Sequence, residues 1–256
     1  MDEKNINKET YILSDKEIRR YASHIELPGL TIEGQEKIKK AKILVIGAGG
    51  KGSSVLQNLA SAGIGTIGIC DNSPIAEDQL CRQYLFGDAD MGKQKAIVAR
   101  QKLLQINQLN EYRLHNVYLT EETVERICSG YDILVDSTDN FPAHYLIHDV
   151  SIRMHKPVIF GRIVGPTGFV SVFNYRGGPS LRCCYPEPPT DVKNNFGEGF
   201  VNRAVLVSII GSILANETIK VSIQMDTELS GNLLSVDAAN YKLKLSKITR
   251  DPSNFR

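Results

Sequence analysis

From Gly47 to Gly52 the chain reads GAGGKG, with the strand-like run KILV before it and the helix-like run VLQNLASAG after it. Glycines at Gly47, Gly49, Gly50 and Gly52 in that setting suit a turn whose backbone N–H groups and helix N-terminus hold phosphates. Asp71 ends the next strand about twenty residues on, where a carboxylate takes ribose hydroxyls. NAD and ATP both meet such a pair of features, so these residues alone do not separate them. Two later groups favour a triphosphate. Arg82 and Gln83 follow Asp71 in LCRQYLF, and Lys95 stands near a helix start in MGKQK. Two cations converging on a glycine turn suit a triphosphate and a pentacovalent transition state better than a pyrophosphate diester. A pair of solvated surface cations would have the same sequence. In DSTDNF, Asp136 and Asp139 stand at the C-terminal end of a strand, where parallel sheets bind ligands. A carboxylate there suits the magnesium that accompanies ATP; capping of the next helix by Asp139 or Asn140 is the plainer role.

The elements that must position these residues follow from hydrophobic period and punctuation. Ser14 and Glu17 form a capping-box pattern and predict a helix through about Ala22. A second helix, EGQEKIKKA, leads to the strand Lys42–Ile46. Helix 51–62, strand Thr66–Cys70, a long helix from 93 to about 106 and a strand over 112–117 follow. A short helix after Thr120, the strand Ile133–Asp136, a helix over 142–154 and the strand PVIF complete the alternation. Such alternation predicts a parallel, doubly wound sheet. After Gly161 the pattern changes: GFVSVFNY reads as a strand, 202–219 as a buried helix, and LLSVDAANYKLKLSKI as two antiparallel strands around a turn. The expected fold is therefore α/β, a Rossmann-like doubly wound mixed sheet with a parallel N-terminal part and antiparallel C-terminal strands. It forms one domain over 14–256 behind a flexible tail, 1–13.

The bulk composition excludes several classes. The 256 residues are 42% apolar and 23% charged with a net charge of +1, so no electrostatic argument points to nucleic acid or an anionic membrane. The run AVLVSIIGSILA reads as a buried helix too short to span a bilayer, and no secretory signal is read. Five cysteines at irregular spacing predict no disulfide framework, and a reducing cytoplasm is the expected compartment.

Taken in order, GAGGKG, the strand-ending Asp71, CRQ, GKQK, DSTDNF, GFVSVF, CCYPEPP and the helix GSILANETIK resemble one family from about Ser14 to Asp251. It is the ThiF/MoeB/HesA group, bacterial enzymes that activate ubiquitin-like sulfur carriers and are related to eukaryotic E1 enzymes. The resemblance implies Mg-ATP-dependent adenylation of the C-terminal glycine of a ThiS- or MoaD-like carrier, for thiamine thiazole or molybdopterin synthesis. It implies that Gly47, Gly49, Gly50 and Gly52 form the nucleotide turn, with Gly50 admitting the α-phosphate, and that Asp71 holds the ribose. Arg82 and Lys95 would neutralise phosphates with Gln79 and Gln83 beside them. Asp139 would hold magnesium, in a loop fixed by Thr138 and Asn140. A homodimer is implied, with Ile18, Tyr21 and Ile25 on the face a partner would cover, and sulfur would come from a separate donor protein. Other readings are a related enzyme that modifies a ribosomal peptide, an NAD-dependent oxidoreductase, and a binding protein with a degenerate site.

The departures from the family pattern carry their own expectations. Asp78-Gln79-Leu80 replaces Ser-Asn-Leu and adds negative charge, and Ser23 stands where an arginine usually reaches into the partner subunit. The two CxxC pairs of a tetrahedral zinc site are reduced to Cys183 and its neighbour Cys184, so no zinc site is expected. Cys183 and Cys184 are expected on a strand, side by side and pointing to opposite faces. The loop TDVKNNFGEGFVNR has no cysteine, so the carrier is expected to leave as a free acyl-adenylate beneath a nucleophile-free lid.

Overall fold

The structure is a computed structural model and describes residues 12–189 and 202–255. The capping box is present: the Ser14 hydroxyl accepts from the Glu17 N–H, and the Glu17 carboxylate accepts from the Ser14 N–H at 2.9 Å. The helix it opens, α1 (Asp15–Arg20), breaks at Tyr21, resumes as α2 (Ala22–Ile25) and is followed by α3 (Thr31–Lys40). The expected tail ends earlier than Leu13, which is buried, while the Ile12 N–H donates to Glu36 at 2.7 Å. The rest of the tail, 1–11, lies outside the described residues.

Strand β1 (Lys42–Ile46) leads through the glycine turn into α4 (Gly50–Ala62). Then come β2 (Thr66–Cys70), α5 (Glu77–Leu80), α6 (Lys95–Ile106), β3 (Glu111–His115), α7 (Glu121–Ser129), β4 (Ile133–Asp136), α8 (Phe141–Arg153) and β5 (Val158–Val164). The C-terminal part is β6 (Thr167–Phe173), α9 (Leu181–Cys184), α10 (Arg203–Ser222), β7 (Asn232–Asp237) and β8 (Lys242–Lys247). β2 and β4 are buried along their whole length, as strands covered by helices on both faces must be. The eight-stranded sheet has the order β3-β2-β1-β4-β5-β6-β7-β8, parallel through β5 and antiparallel beyond it. The expected mixed sheet is thus present. Strand order reverses between the neighbours β1 and β4, and open α/β sheets bind ligands in the crevice at such a reversal.

Several boundaries differ from expectation for physical reasons. β3 ends at His115 because it is an edge strand whose one partner, β2, ends opposite it at Cys70. Residues 116–119 are thereby free to turn over the sheet. α6 begins two residues late because its approach is bonded across to the loop after β2: Ile75 N–H donates to the Lys93 carbonyl at 2.9 Å and Lys95 N–H to the Ser73 carbonyl at 3.0 Å. The result is that Lys95 is the first residue of a helix facing the sheet's end. α10 spans 20 residues, long and apolar enough to cross a membrane by length and composition, contrary to the expectation from its apolar run. Its packing against α4, with Leu206, Ile210 and Leu214 in the main core, marks it as a core helix instead. Tyr21 is also core: it is 2% exposed and its hydroxyl accepts from Asn107 Nδ2 at 2.9 Å. It therefore does not belong to a face a partner could cover; Ile18 and Ile25 remain half-buried.

Candidate functional site

The glycine turn is built by close approach. Gly47 adopts φ +94°, open to glycine and costly for other residues. A Cβ on Gly52 would lie 1.9 Å from the Gly47 carbonyl oxygen, so the turn folds back on its own helix only because Gly52 has no side chain. Ser137, at the end of β4, donates to the same carbonyl at 2.6 Å and ties the two neighbouring strand ends together. Asp71 closes the other side: one carboxylate oxygen accepts from the Ala48 N–H at 2.8 Å and the other from the Ser73 N–H at 2.8 Å.

These elements wall a cleft of about 650 Å³ at the strand-order reversal. Gly47, Gly49, Gly50, Asp71, Gln79, Arg82, Gln83, Lys95, Thr138, Asp139 and Asn140 all line it. Gly52 does not. Its role is packing beneath the turn rather than contact with a ligand. Lys95 is 5% exposed; burial pushes its pKa down and neighbouring Arg82 adds to that, while Asp71 and Asp139 oppose. Arg82 donates to the Asp78 carbonyl at 2.9 Å, and Asp78 itself lies outside the cleft lining. Gln83 donates to Gln79 at 3.1 Å, leaving its own buried side-chain oxygen without a partner.

The two carboxylates of DSTDNF part company. Asp136 is fully buried; it accepts from the Thr138 N–H and hydroxyl at 3.1 and 2.7 Å, from His144 Nδ1 at 2.7 Å, and lies 3.4 Å from His148 Nε2. Burial pushes this carboxyl up, but the two histidines outweigh it and hold it well below the usual carboxylate range. Asp139, three residues on, has a side chain 86% exposed, and one oxygen is 2.5 Å from Lys51 Nζ. The Lys51 ammonium beside it keeps the Asp139 carboxyl ionised below the usual range. Asn140 takes the plainer role, accepting from the Ala143 N–H at 2.9 Å as the N-cap of α8.

The described residues do not fit a resident magnesium. Both oxygens of Asp71 accept backbone N–H groups, Asp136 is closed off by Thr138 and histidines, and the charge of Asp139 is already met by an ammonium. Among the described residues no three His, Cys, Asp or Glu side chains gather in a metal-binding group.

Sequence reasoning missed Lys51, whose side chain is 2% exposed and donates to Thr138 O at 3.0 Å as well as to Asp139. It also missed the wall of Val117, Tyr118 and Leu119, assigned in part to β3, and the start of α10, where Leu206 and Val207 line the cleft. A lysine inside a glycine turn was the available signal for the first; an apolar segment after an edge strand was that for the second.

Cys183 and Cys184 lie on the helical turn α9, not on a strand. Burial pushes the Cys184 thiol up to about 11. For Cys183 burial acts the same way, but donation from the Asp251 N–H at 3.3 Å and from Ser180 and Asn254 outweighs it. Most of the expected lid loop, 190–201, lies outside the described residues.

The ThiF family model matches residues 21–254. The chain is 36% identical over 243 residues to the sulfur carrier protein adenylyltransferase of Thermus thermophilus, covering 93% of this chain and 89% of that one. It is 37% identical over 246 residues to the probable adenylyltransferase/sulfurtransferase MoeZ of Mycobacterium tuberculosis, and covers 94% of this chain but 62% of MoeZ. A probable molybdopterin-synthase adenylyltransferase of Porphyra purpurea is 39% identical over 242 residues, covering 93% of this chain and 62% of its own. The crystal structure of E. coli MccB with ATP superposes with a TM-score of 0.78 at 24% identity, over 91% of this chain and 72% of that one, a likeness of fold.

Proposed function

The chain belongs to the ThiF family, and from that premise we propose that it uses ATP to adenylate the C-terminal glycine of a ubiquitin-like sulfur-carrier protein. The observation that carries this reading is the meeting of Lys51, Arg82 and Lys95 at one glycine turn, in the cleft where strand order reverses. Three cations around one turn suit the charge of a triphosphate better than the diester of NAD. The names of the Thermus and Porphyra relatives support the same chemistry.

The turn's N–H groups and the start of α4 take the phosphates. Asp71, held rigid by Ala48 and Ser73, offers its remaining lone pairs to the ribose, and Val117 and Leu119 give the base an apolar wall. The carrier's terminal carboxylate arrives ionised and attacks the α-phosphorus. A carboxylate–phosphorus bond forms, the bond from that phosphorus to the bridging oxygen breaks, and pyrophosphate leaves with the electron pair. No proton moves, so the protein's work is positioning and charge stabilisation. Arg82 and Lys95 stabilise the charge that builds on the phosphoryl oxygens. No step runs through a metal on Asp139, whose charge is met by Lys51.

Within this reading the carrier is ThiS-like or MoaD-like, the sulfur comes from a separate donor protein, the compartment is the cytoplasm, and the enzyme is a symmetric dimer. The half-buried Ile18 and Ile25 beside the exposed Leu27 support the dimer by leaving apolar surface on the N-terminal helices. ATP–pyrophosphate exchange with each carrier type in turn tests the function. Exchange should depend on one of the two carriers. Exchange with a short peptide and neither carrier, or NAD bound more tightly than ATP, would overturn the reading.

A further inference from the structure

We propose that Lys51 is the built-in counter-cation of the nucleotide site, standing where a divalent ion on Asp139 would stand, so that ATP binds this chain without a metal. This rests on the adenylation reading and deepens it. Lys51 is the second residue of α4, between two glycines of the turn, and its stem is packed so that 2% of the side chain is exposed. An ammonium has three donors and no acceptor. Two of these are directed at the loop after β4: one to Asp139 Oδ1 at 2.5 Å and one to the Thr138 carbonyl oxygen at 3.0 Å. Nothing among the described residues takes the third, and Lys51 lines the same cleft as Gly49 and Lys95.

A cation held by two loop oxygens with one valence left toward the phosphate site is the arrangement a carboxylate-bound metal would supply. Here it is covalently part of the turn. A divalent ion approaching Asp139 meets that ammonium at contact distance and is repelled by it. The cleft's other carboxylate among the described residues, Asp71, has a backbone donor on each oxygen, and Asp136 lies sealed beneath the loop, so no second bare carboxylate among the described residues draws the ion. Burial matters equally. A lysine with its stem enclosed keeps its head group fixed, whereas Asp139, 86% exposed, needs no protein partner to remain ionised. The pair is therefore arranged to hold the lysine in place rather than the aspartate.

The test is calorimetric titration of the full chain with ATP, in EDTA and in magnesium, for the native protein and for Lys51→Met. Methionine keeps the apolar stem and leaves Asp139 solvated, and a thermal melt checks that the variant folds. The native chain should bind ATP in EDTA within about threefold of its affinity in magnesium. Lys51→Met should lose more than about tenfold in EDTA, one charge-assisted hydrogen bond, and recover on adding magnesium because Asp139 is released. A native chain that loses more than about tenfold in EDTA would overturn the inference, as would a variant that binds like the native chain there. A second arm needs no variant: manganese added to the nucleotide-free native chain should stay free by electron paramagnetic resonance. Stoichiometric binding abolished by Asp139→Asn would contradict the proposal. Failure to bind ATP with or without magnesium would instead sink the adenylation reading itself, and this inference with it.

Discussion

Asp136 and Asp139 are three residues apart and belong to different parts of the machine. The base of their loop is a buried knot, Asp136 with Thr138, His144 and His148, and the histidines stack edge-on against Phe160. The rim is an open pair, Asp139 with Lys51, facing Lys95 and Arg82 across the cleft. In the knot both carboxylate oxygens accept from buried protein donors and neither reaches the cleft, so the group serves the fold rather than a ligand. At the rim the Asp139 carboxylate stands open to solvent above a buried lysine, so the pair can still meet whatever enters the cleft. A strand-end aspartate is thus a fold residue or a site residue according to its solvation, and its position in a motif does not decide which.

Substitution should separate the two regions sharply. Asp136→Ala leaves buried His144 Nδ1 and the Thr138 N–H and hydroxyl without their acceptor and removes the carboxylate beside His148, and should cost about 3–5 kcal/mol, on the order of ten degrees in Tm. Lys95→Ala should instead leave Tm within a few degrees while lowering carrier adenylation by about 100-fold, the scale for one lost transition-state donor. Differential scanning calorimetry beside an adenylation assay reads both. Equal losses of stability would erase the distinction between knot and rim.

Acidification should reach the knot by a smaller amount. Burial depresses the His148 pKa in the folded chain, so the unfolded chain takes up that proton first, and stability present above pH 6.5 is lost as pH falls. Asp136 is depressed as well, so its contribution is lost only below its unfolded value of 3.8. Between pH 7 and 5 the histidine dominates, with a loss of at most about 2 kcal/mol. Melts across that range should fall for the native chain and fall less steeply for His148→Gln, the remaining slope coming from His115, whose pKa burial also depresses. A native Tm that rises on acidification would mean that His148 is charged in the fold.

Much of the knot and rim was legible in the sequence because punctuation marks strand ends. Gly47, Asp71, Lys95 and Thr138 each sit where a strand stops or a helix starts, and a parallel sheet gathers those ends at one edge. The lysine inside the glycine turn marks Lys51, but its pairing with Asp139 is not legible, because that partner lies 88 residues away across the sheet. Asp136 looked like a ligand for the same reason: the two histidines beneath it arrive from one face of α8, which a strand-end motif does not reveal. Cys183 and Cys184 were placed on a strand since four residues are too few for period to tell a turn of helix from a strand. Tyr21 showed helical spacing with Ile18 and Ile25, yet packs inward onto Asn107, because the helix breaks at that residue.

The central claim is that this cleft joins AMP to a carrier's terminal carboxylate, and the product reports on it most directly. The chain, ATP and a ThiS- or MoaD-like carrier are incubated and the carrier's intact mass is measured. The account predicts one adenylyl group on the carrier, mapped to its C-terminal glycine, absent when that glycine is deleted and forming about 100-fold more slowly with Lys95→Ala. A carrier that gains no adenylyl group and accumulates as a reductant-sensitive adduct on Cys183 or Cys184, or an adenylyl group found elsewhere on the carrier, would contradict it.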